Sequence, residues 1–193
     1  MRLRAAALLL LAATACGRST PPKPGSPPAA AGTASVSPAE SAGDDEAVAK
    51  SSVTIYFPSA GSDLLDADPR EIVETGGPAE RGGQILAALL AGPKAGGLLK
   101  AVPEGTELRR LWVRDDGTAY ADFSEELVQG MTGGSSDELL TLYAIVDSLT
   151  LNVSEIKRVA VLVNGRERDT LGGHVDIRRP LVTDKTLIAL AKE

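Results

Sequence analysis

The stretch "ELRRLWVRDDGTAYADFS", residues 107–124, alternates apolar and polar residues on both sides of an Asp-Asp-Gly sequence. Alternation of this kind around an Asp-Gly pair is typical of two antiparallel strands joined by a tight turn. Two registers have to be compared, because a slip of one residue moves every side chain to the opposite face of the sheet. The register therefore decides which residues of this hairpin belong to the core.

A two-residue loop at Asp116-Gly117 would pair Leu111 with Asp122 and mix apolar and charged residues on one face. A three-residue loop that starts at Asp115 gives each face a single character, with Gly117 at positive φ in a bulge. On the core face it pairs Val113 with Ala119 and Leu111 with Ala121. We predict this second register. Its other face carries two aromatics and an ion pair, which we take as the candidate interaction surface: Trp112, Tyr120, Arg110 and Asp122.

Strand signals lie on both sides of the hairpin. Residues 52–57, "SVTIYF", are β-branched and aromatic and predict a strand, and "REIVET" at 70–75 predicts a short second one. "IKRVAVLVNGRER" is a nearly continuous apolar run, as expected of a strand covered on both faces. Its Asn164-Gly165 pair predicts a tight hairpin turn.

Two helices are predicted, near residues 79–91 and 135–150. The spacing of Ile85, Leu86 and Leu89 places these side chains on one face of the first helix, with Leu90 beside them, and Gly92-Pro93 predicts its end. The second helix is predicted to open with a capping box formed by Ser135 and Glu138. These elements predict an α/β fold of the α+β type. We expect one small domain, in which a mixed sheet of hairpins carries two helices on one face.

The first residues of the chain have the pattern of an export signal. Arg2 and Arg4 precede an apolar run over residues 5–15, much shorter than the roughly 20 residues that a membrane span needs, so we predict a signal peptide over residues 1–15. Cys16 closes a small-residue stretch that resembles a bacterial lipobox, with Ala13 where leucine is usual. Lipidation of Cys16 is therefore predicted. The alternative is an ordinary A-x-A cleavage site ending at Ala15.

Composition divides the rest of the chain. Residues 16–50 are rich in Pro, Ser and Ala and contain no aromatic residue, so they cannot bury enough apolar area to offset their ordering entropy. We predict a lipid-anchored, disordered linker there and a folded domain over residues 51–183. Residues 184–193 are predicted to form a tail with a short helix.

Few kinds of chemistry are compatible with this sequence. A net charge of −6 argues against a nucleic-acid partner. A single cysteine excludes an internal disulfide and a multi-cysteine metal site. The only histidine, His174, lies in "LGGHVD", and Asp176 is the carboxylate nearest to it in the sequence. The sequence contains neither the HxxH spacing of a metal site nor the GxSxG motif of a serine hydrolase. We predict no catalytic residue, metal ligand or cofactor, and a packing or surface role for His174.

The segments also resemble a known family. "VTIYFP", "ILAALLAGP", "VPEGTEL", "DDGTAYADFSEEL" and "VAVLVNGRERDTLGGHVDIRRPL" follow the order, and closely the wording, of the GerMN domain of sporulation and spore-germination proteins. The resemblance covers residues 51 to about 183. It implies an α/β domain similar to the ring-building motifs of secretion-system proteins, common in bacterial lipoproteins and without known enzyme activity.

Together these features predict a non-enzymatic cell-envelope lipoprotein, anchored to a membrane through acylated Cys16. We expect its domain to bind envelope proteins or a second copy of itself, with a link to sporulation, germination or envelope biogenesis. The alternative is a module for cell-wall glycan or a small ligand, with Trp112 and Tyr120 as its platform. The predicted location is the outer face of the plasma membrane or the periplasmic side of an outer membrane.

Overall fold

The computed structural model of the protein describes residues 49–74 and 76–190. The predicted signal peptide, Cys16 and nearly all of the predicted linker lie outside these residues. A single turn of 3-10 helix occupies Lys185–Leu187. The strands and α-helices are β1 Lys50–Pro58, β2 Leu65–Val73, α1 Pro78–Leu90, β3 Leu108–Val113, β4 Thr118–Phe123, α2 Glu126–Gln129, α3 Ser135–Thr150, β5 Arg158–Val163 and β6 Arg166–Glu167. Within the described part of the chain, no helix combines the length and apolarity that a membrane crossing requires.

The α/β fold class is confirmed, but the strands form two sheets where one mixed sheet was predicted. β1 and β2 pair antiparallel as a separate hairpin, whereas the order β3-β4-β5-β6 makes a mixed sheet in which only β4 and β5 run parallel. β2 begins five residues before the predicted strand at residue 70. It includes Pro69, which has no backbone N–H to donate and which β2 tolerates because one edge of this strand has no neighbouring strand.

The predicted register of the central hairpin is confirmed. Trp112 lies opposite Tyr120 and Leu111 opposite Ala121, and Gly117 has φ +80° in the turn. The predicted ion pair between Arg110 and Asp122 is wrong in its basic residue. Arg110 is opposite Asp122, but the pairing is irregular between residues 108 and 110, and it is the Nε atom of Arg109 that lies 4.0 Å from the Asp122 carboxylate. A bulge of this kind re-aims side chains, which explains the exchange.

Helix α1 packs unusually close to its neighbours at Gly82. A Cβ atom there would lie 2.6 Å from Cδ2 of Leu111 on β3 and 3.2 Å from Cδ2 of Leu149 on α3. The missing side chain therefore lets α1 approach the sheet and the other long helix at one point. Of the predicted apolar face, Ile85, Leu86 and Leu89 are fully buried.

Helix α3 is the central element of the domain and is buried on nearly all sides, because it contacts β1 in one sheet and β5 in the other. It also closes one edge of β1. The N–H of Thr54 donates to Asn152 Oδ1 at 2.8 Å, and the N–H of Tyr56 donates to Ser148 Oγ at 3.0 Å. Asn152 follows α3 directly, so β1 has its free edge covered by this helix and its end.

The predicted bounds of α3 are confirmed, but the predicted capping box of Ser135 and Glu138 is wrong. Gly134 is the N-cap, and its N–H donates to the carboxylate of Asp137 at 3.2 Å. Glu138, one residue further along, points into the protein and has different partners.

Candidate functional site

The "LGGHVD" loop is held by one buried carboxylate. Glu138 is fully buried near the start of α3. Its Oε1 accepts the N–H of Leu171 at 2.9 Å, and its Oε2 accepts the N–H of His174 at 2.8 Å. The ring Nδ1 of His174 lies 3.1 Å from the same Oε2 atom. Backbone N–H groups of the loop thus bind the side chain of Glu138, which lies 33–36 residues earlier in the chain, on α3.

The backbone donors keep Glu138 ionised. Burial by itself opposes the charged form, but backbone hydrogen bonds outweigh it and hold the pKa of Glu138 below its ordinary value. The donors are the N–H groups of Gly172, His174, Leu171 and Val175. An ionised acceptor makes these bonds stronger than bonds between neutral groups. Glu138 therefore acts as a clamp that fixes the path of the loop.

Close contacts and backbone conformation explain why residues 172 and 173 of this loop are glycines. A Cβ atom on Gly172 would lie 3.0 Å from Cγ of Met131 and 3.2 Å from Oε2 of Glu138. Gly173 has φ +96°, a backbone conformation that other residues seldom adopt. The Gly-Gly pair lets the chain turn closely around the carboxylate, so this part of the motif serves loop architecture.

His174 does not pair with Asp176, the carboxylate nearest to it in sequence. Asp176 instead binds Arg178, with 2.6 Å between Oδ2 and Nη2. The His174 side chain is 45% exposed and contacts Glu138 from the solvent side. Among residues 49–74 and 76–190, no cluster of three His, Cys, Asp or Glu side chains is arranged to hold a metal ion.

We expect His174→Ala to lower the free energy of unfolding by no more than about 1–2 kcal/mol and to leave biological function intact. The reason is that the His174 backbone N–H, which alanine keeps, makes the 2.8 Å bond to Glu138. Denaturant unfolding of the mutant and the parent measures the difference. A folded mutant without function would show instead that the imidazole has a chemical role.

The candidate interaction surface on the central hairpin is only partly assembled as predicted. The rings of Trp112 and Tyr120 stack with centroids 5.1 Å apart and an interplanar angle of 3°. Trp112 remains 36% exposed, and Arg110 is exposed on the same strand face. Asp122 does not belong to this surface, since it is only 8% exposed and accepts the Gly165 N–H at 2.6 Å.

Arg114 joins this surface and was missed in the sequence. It is exposed two residues after Trp112, which places both side chains on the same face of the strand. The hydroxyl of Tyr120 lies beside its guanidinium and raises the pKa of Arg114, with Asp115 and Asp116 contributing. We call Arg110, Trp112, Arg114 and Tyr120 the aromatic face.

A buried ion pair was also missed. Asp68 and Arg70 on β2 lie 2.7 Å apart and are both buried. Arg70 also donates to the carbonyl oxygen of Gly92 at 2.8 Å, and the N–H of Lys94 donates to Asp68 Oδ2 at 2.8 Å. The Arg70 guanidinium lies 5.8 Å from the ring centre of Phe57. This pair ties the segment that follows α1 to the first sheet.

The sequence profile of the Germane family, described as "Sporulation and spore germination", matches residues 54–169. The chain belongs to the Germane family. The matched region contains the two long helices and both sheets except the first four residues of β1, and it ends just before the loop that Glu138 clamps. The GerMN resemblance stated from sequence is thereby confirmed. Among curated protein sequences none matches the chain.

Solved structures show the same GerMN fold. The first GerMN domain of the sporulation protein GerM from Bacillus subtilis has a TM-score of 0.54 at 20% identity, over 70% of this chain and 98% of that one. The tandem GerMN domains of GerM give 0.55 at 18% identity, over 69% of this chain and 46% of that one. A candidate lipoprotein from Clostridium perfringens gives 0.51 at 24% identity, over 74% of this chain and 95% of that one.

Proposed function

We propose that this Germane-family protein is a non-enzymatic, membrane-anchored envelope lipoprotein whose GerMN domain binds a protein partner through the aromatic face. The observation that carries the proposal is the stacking of Trp112, which is exposed, on Tyr120, which is half-buried. Tryptophan, tyrosine and arginine are the residue types most enriched at the energetic centres of protein interfaces. The family description supports a role in sporulation or germination.

Stacking prepares the aromatic face for binding. The nearly parallel ring planes of Trp112 and Tyr120 restrain both side chains before any partner arrives. Binding then loses less side-chain entropy than it would with a free tryptophan. Arg110 and Arg114 flank the pair and supply donors at its rim.

We expect Trp112→Ala to cost at most about 1 kcal/mol of stability while it strongly weakens association. A truncated interface anchor typically loses about 2 kcal/mol or more of binding free energy, a roughly thirtyfold weaker complex. Site-specific photo-crosslinking from position 112 in intact cells would identify the partner, and titration of that partner would measure the loss. Leu99→Ala is the matched control, because Leu99 is an exposed apolar residue outside the aromatic face.

Two results would contradict this function. A stability loss of 3–5 kcal/mol in Trp112→Ala would mean that the tryptophan belongs to the core. Equal partner affinity in Trp112→Ala and Leu99→Ala would remove the aromatic face as the binding site. The exposed ring of Trp112 also favours a second candidate, a cell-wall glycan, because sugars stack on aromatic rings. Specific retention on purified cell wall, lost in Trp112→Ala, would favour that candidate.

The membrane anchor is a separate proposal with its own test. The lipobox resemblance at Cys16 supports it, as does the fold shared with a protein described as a candidate lipoprotein. We expect the Cys16→Ser mutant to leave the membrane fraction or to accumulate unprocessed, because serine removes the thiol that is acylated. The parent should stay in the membrane fraction, since multiple acyl chains anchor a protein stably whereas a single chain does so only marginally. Equal membrane fractions for mutant and parent would contradict the anchor and leave the aromatic face untouched.

A further inference from the structure

Helix α3 contains a second buried carboxylate, whose surroundings differ from those of Glu138. Asp147 is fully buried. Its Oδ1 accepts one long hydrogen bond, 3.3 Å from the N–H of Asp184, and its Oδ2 is buried without a hydrogen-bond partner among the described residues. Glu138 has several backbone donors, whereas Asp147 has almost none. A charge in such a site is poorly compensated.

The titratable groups that face Asp147 offer it no positive charge. The Asp184 carboxylate approaches from the segment after β6, Tyr56 from β1 and Tyr143 from α3 itself. None of these carries a positive charge. Lys185 is exposed, and no cation of residues 49–74 and 76–190 forms an ion pair with Asp147. Burial first, and the charge of Asp184 after it, raise the pKa of Asp147 to about 7, although the Asp184 N–H and Thr183 act in the opposite direction.

The segment that covers Asp147 is held by few contacts. We call residues 183–189 the strap. The Thr183 hydroxyl bonds the Thr150 hydroxyl on α3, and Asp184 donates its N–H to Asp147. At its far end Ile188 bridges to Leu65, and the N–H of Ala189 donates to the Leu65 carbonyl oxygen at 2.8 Å. Every residue of the strap is at least partly exposed, so little apolar burial holds it in place.

We propose that the strap is a pH-sensitive element, docked on α3 while Asp147 is protonated and released when Asp147 is ionised. Ionisation places a second negative charge beside Asp184 in a site that offers one weak donor. Release lets water reach both carboxylates and uncovers the start of β2 at Leu65. The protein would thus expose an additional surface as its surroundings become less acidic.

The direction of the pH effect follows from proton linkage. With the strap released, Asp147 is solvated and its pKa lies near the ordinary value for aspartate, about 4. With the strap docked, that pKa is about 7. The docked state therefore binds the proton more tightly, and docking weakens as pH rises from about 4 to about 7, then stays constant.

Hydrogen exchange of the full-length protein in detergent tests this proposal. The readout is the protection of the peptide that spans the strap at pH 5 and pH 8, corrected for the intrinsic exchange rate. We expect protection in the parent to fall at least about tenfold between these values. Peptides from β4 and β5 serve as internal references and should keep their protection, which separates strap release from global unfolding.

Three variants sharpen the result. Asp147→Asn should keep the strap protected at both pH values, because the amide cannot ionise. Asp184→Asn should keep the cap on the 3-10 turn, where the Asp184 side chain accepts the Thr186 N–H at 3.0 Å. It should reduce the fall in protection between pH 5 and pH 8, because without the Asp184 charge the pKa of Asp147 in the docked state lies closer to its ordinary value. Asp115→Asn alters an exposed carboxylate in the turn of the central hairpin and should match the parent. A pH-independent strap in the parent, or an unchanged transition in Asp147→Asn, would overturn the proposal.

Discussion

Replacing Glu138 with alanine is expected to lower the free energy of unfolding by about 3–5 kcal/mol and to release the "LGGHVD" loop. The carboxylate is fully buried, and the backbone N–H groups of Leu171 and His174 donate to it at 2.9 and 2.8 Å. Alanine leaves these donors without an acceptor, and each buried unsatisfied group costs about 1–3 kcal/mol. The lost side chain also leaves a cavity at the start of α3.

Denaturant unfolding followed by circular dichroism measures this loss. Asp137→Ala is the matched control, because Asp137 is the neighbouring acid on α3, is exposed, and bonds only the Gly134 N–H at 3.2 Å. We expect the control to lose about 1 kcal/mol, the usual cost of a helix cap. Glu138→Gln keeps the size and one acceptor oxygen and should fall between the two. If Glu138→Ala lost no more than Asp137→Ala, the loop would be held by other contacts.

Replacing Asp68 with alanine is the second change with a large expected effect, again about 3–5 kcal/mol. The mutation leaves the Arg70 guanidinium buried with the Gly92 carbonyl oxygen as its remaining hydrogen-bond partner. It also removes the acceptor of the Lys94 N–H. Burial opposes ionisation of Asp68, but Arg70 and the backbone donors outweigh it and lower its pKa, so the pair is charged at neutral pH.

A pair of comparisons makes this prediction specific. The double mutant Asp68→Ala/Arg70→Met should be more stable than Asp68→Ala, since removing both charges avoids an uncompensated one. Asp176→Ala breaks an exposed ion pair of similar length, 2.6 Å from Asp176 to Arg178, and should change stability by less than about 1 kcal/mol. Equal losses in Asp68→Ala and Asp176→Ala would mean that burial adds nothing to the Asp68–Arg70 pair.

The central hairpin shows what local sequence can predict. Its register follows from the alternation around Asp115-Asp116-Gly117, because a strand has a period of two and a tight turn needs a residue at positive φ. The Asn164-Gly165 turn is of the same kind, with φ angles of 51° and 72°. The apolar face of α1 follows equally from spacing alone. In each case the residues that decide the structure are close together in the chain.

Polar residues in the core were harder to interpret. Glu138 fits the pattern of a capping box, and a sequence cannot distinguish an acid that caps its own helix from one that binds a loop 33 residues away. Asp68 and Arg70 look like ordinary charged residues of an exposed strand for the same reason. Their partners are distant in the chain, and only the packing of β2 against the segment after α1 removes them from water.

By itself the sequence determined most of the strands, the two long helices, the hairpin register and membership of the GerMN family, because these depend on short-range periodicity, turn chemistry and recurring motifs. It did not predict the short helix α2 or the first five residues of β2. The tertiary structure alone decided that the strands divide into two sheets and that α3 is buried between them. It also decided that two acids of that one helix face opposite environments. Glu138 lies among backbone donors and Asp147 almost without them, and this difference arises from which distant segments pack against each carboxylate.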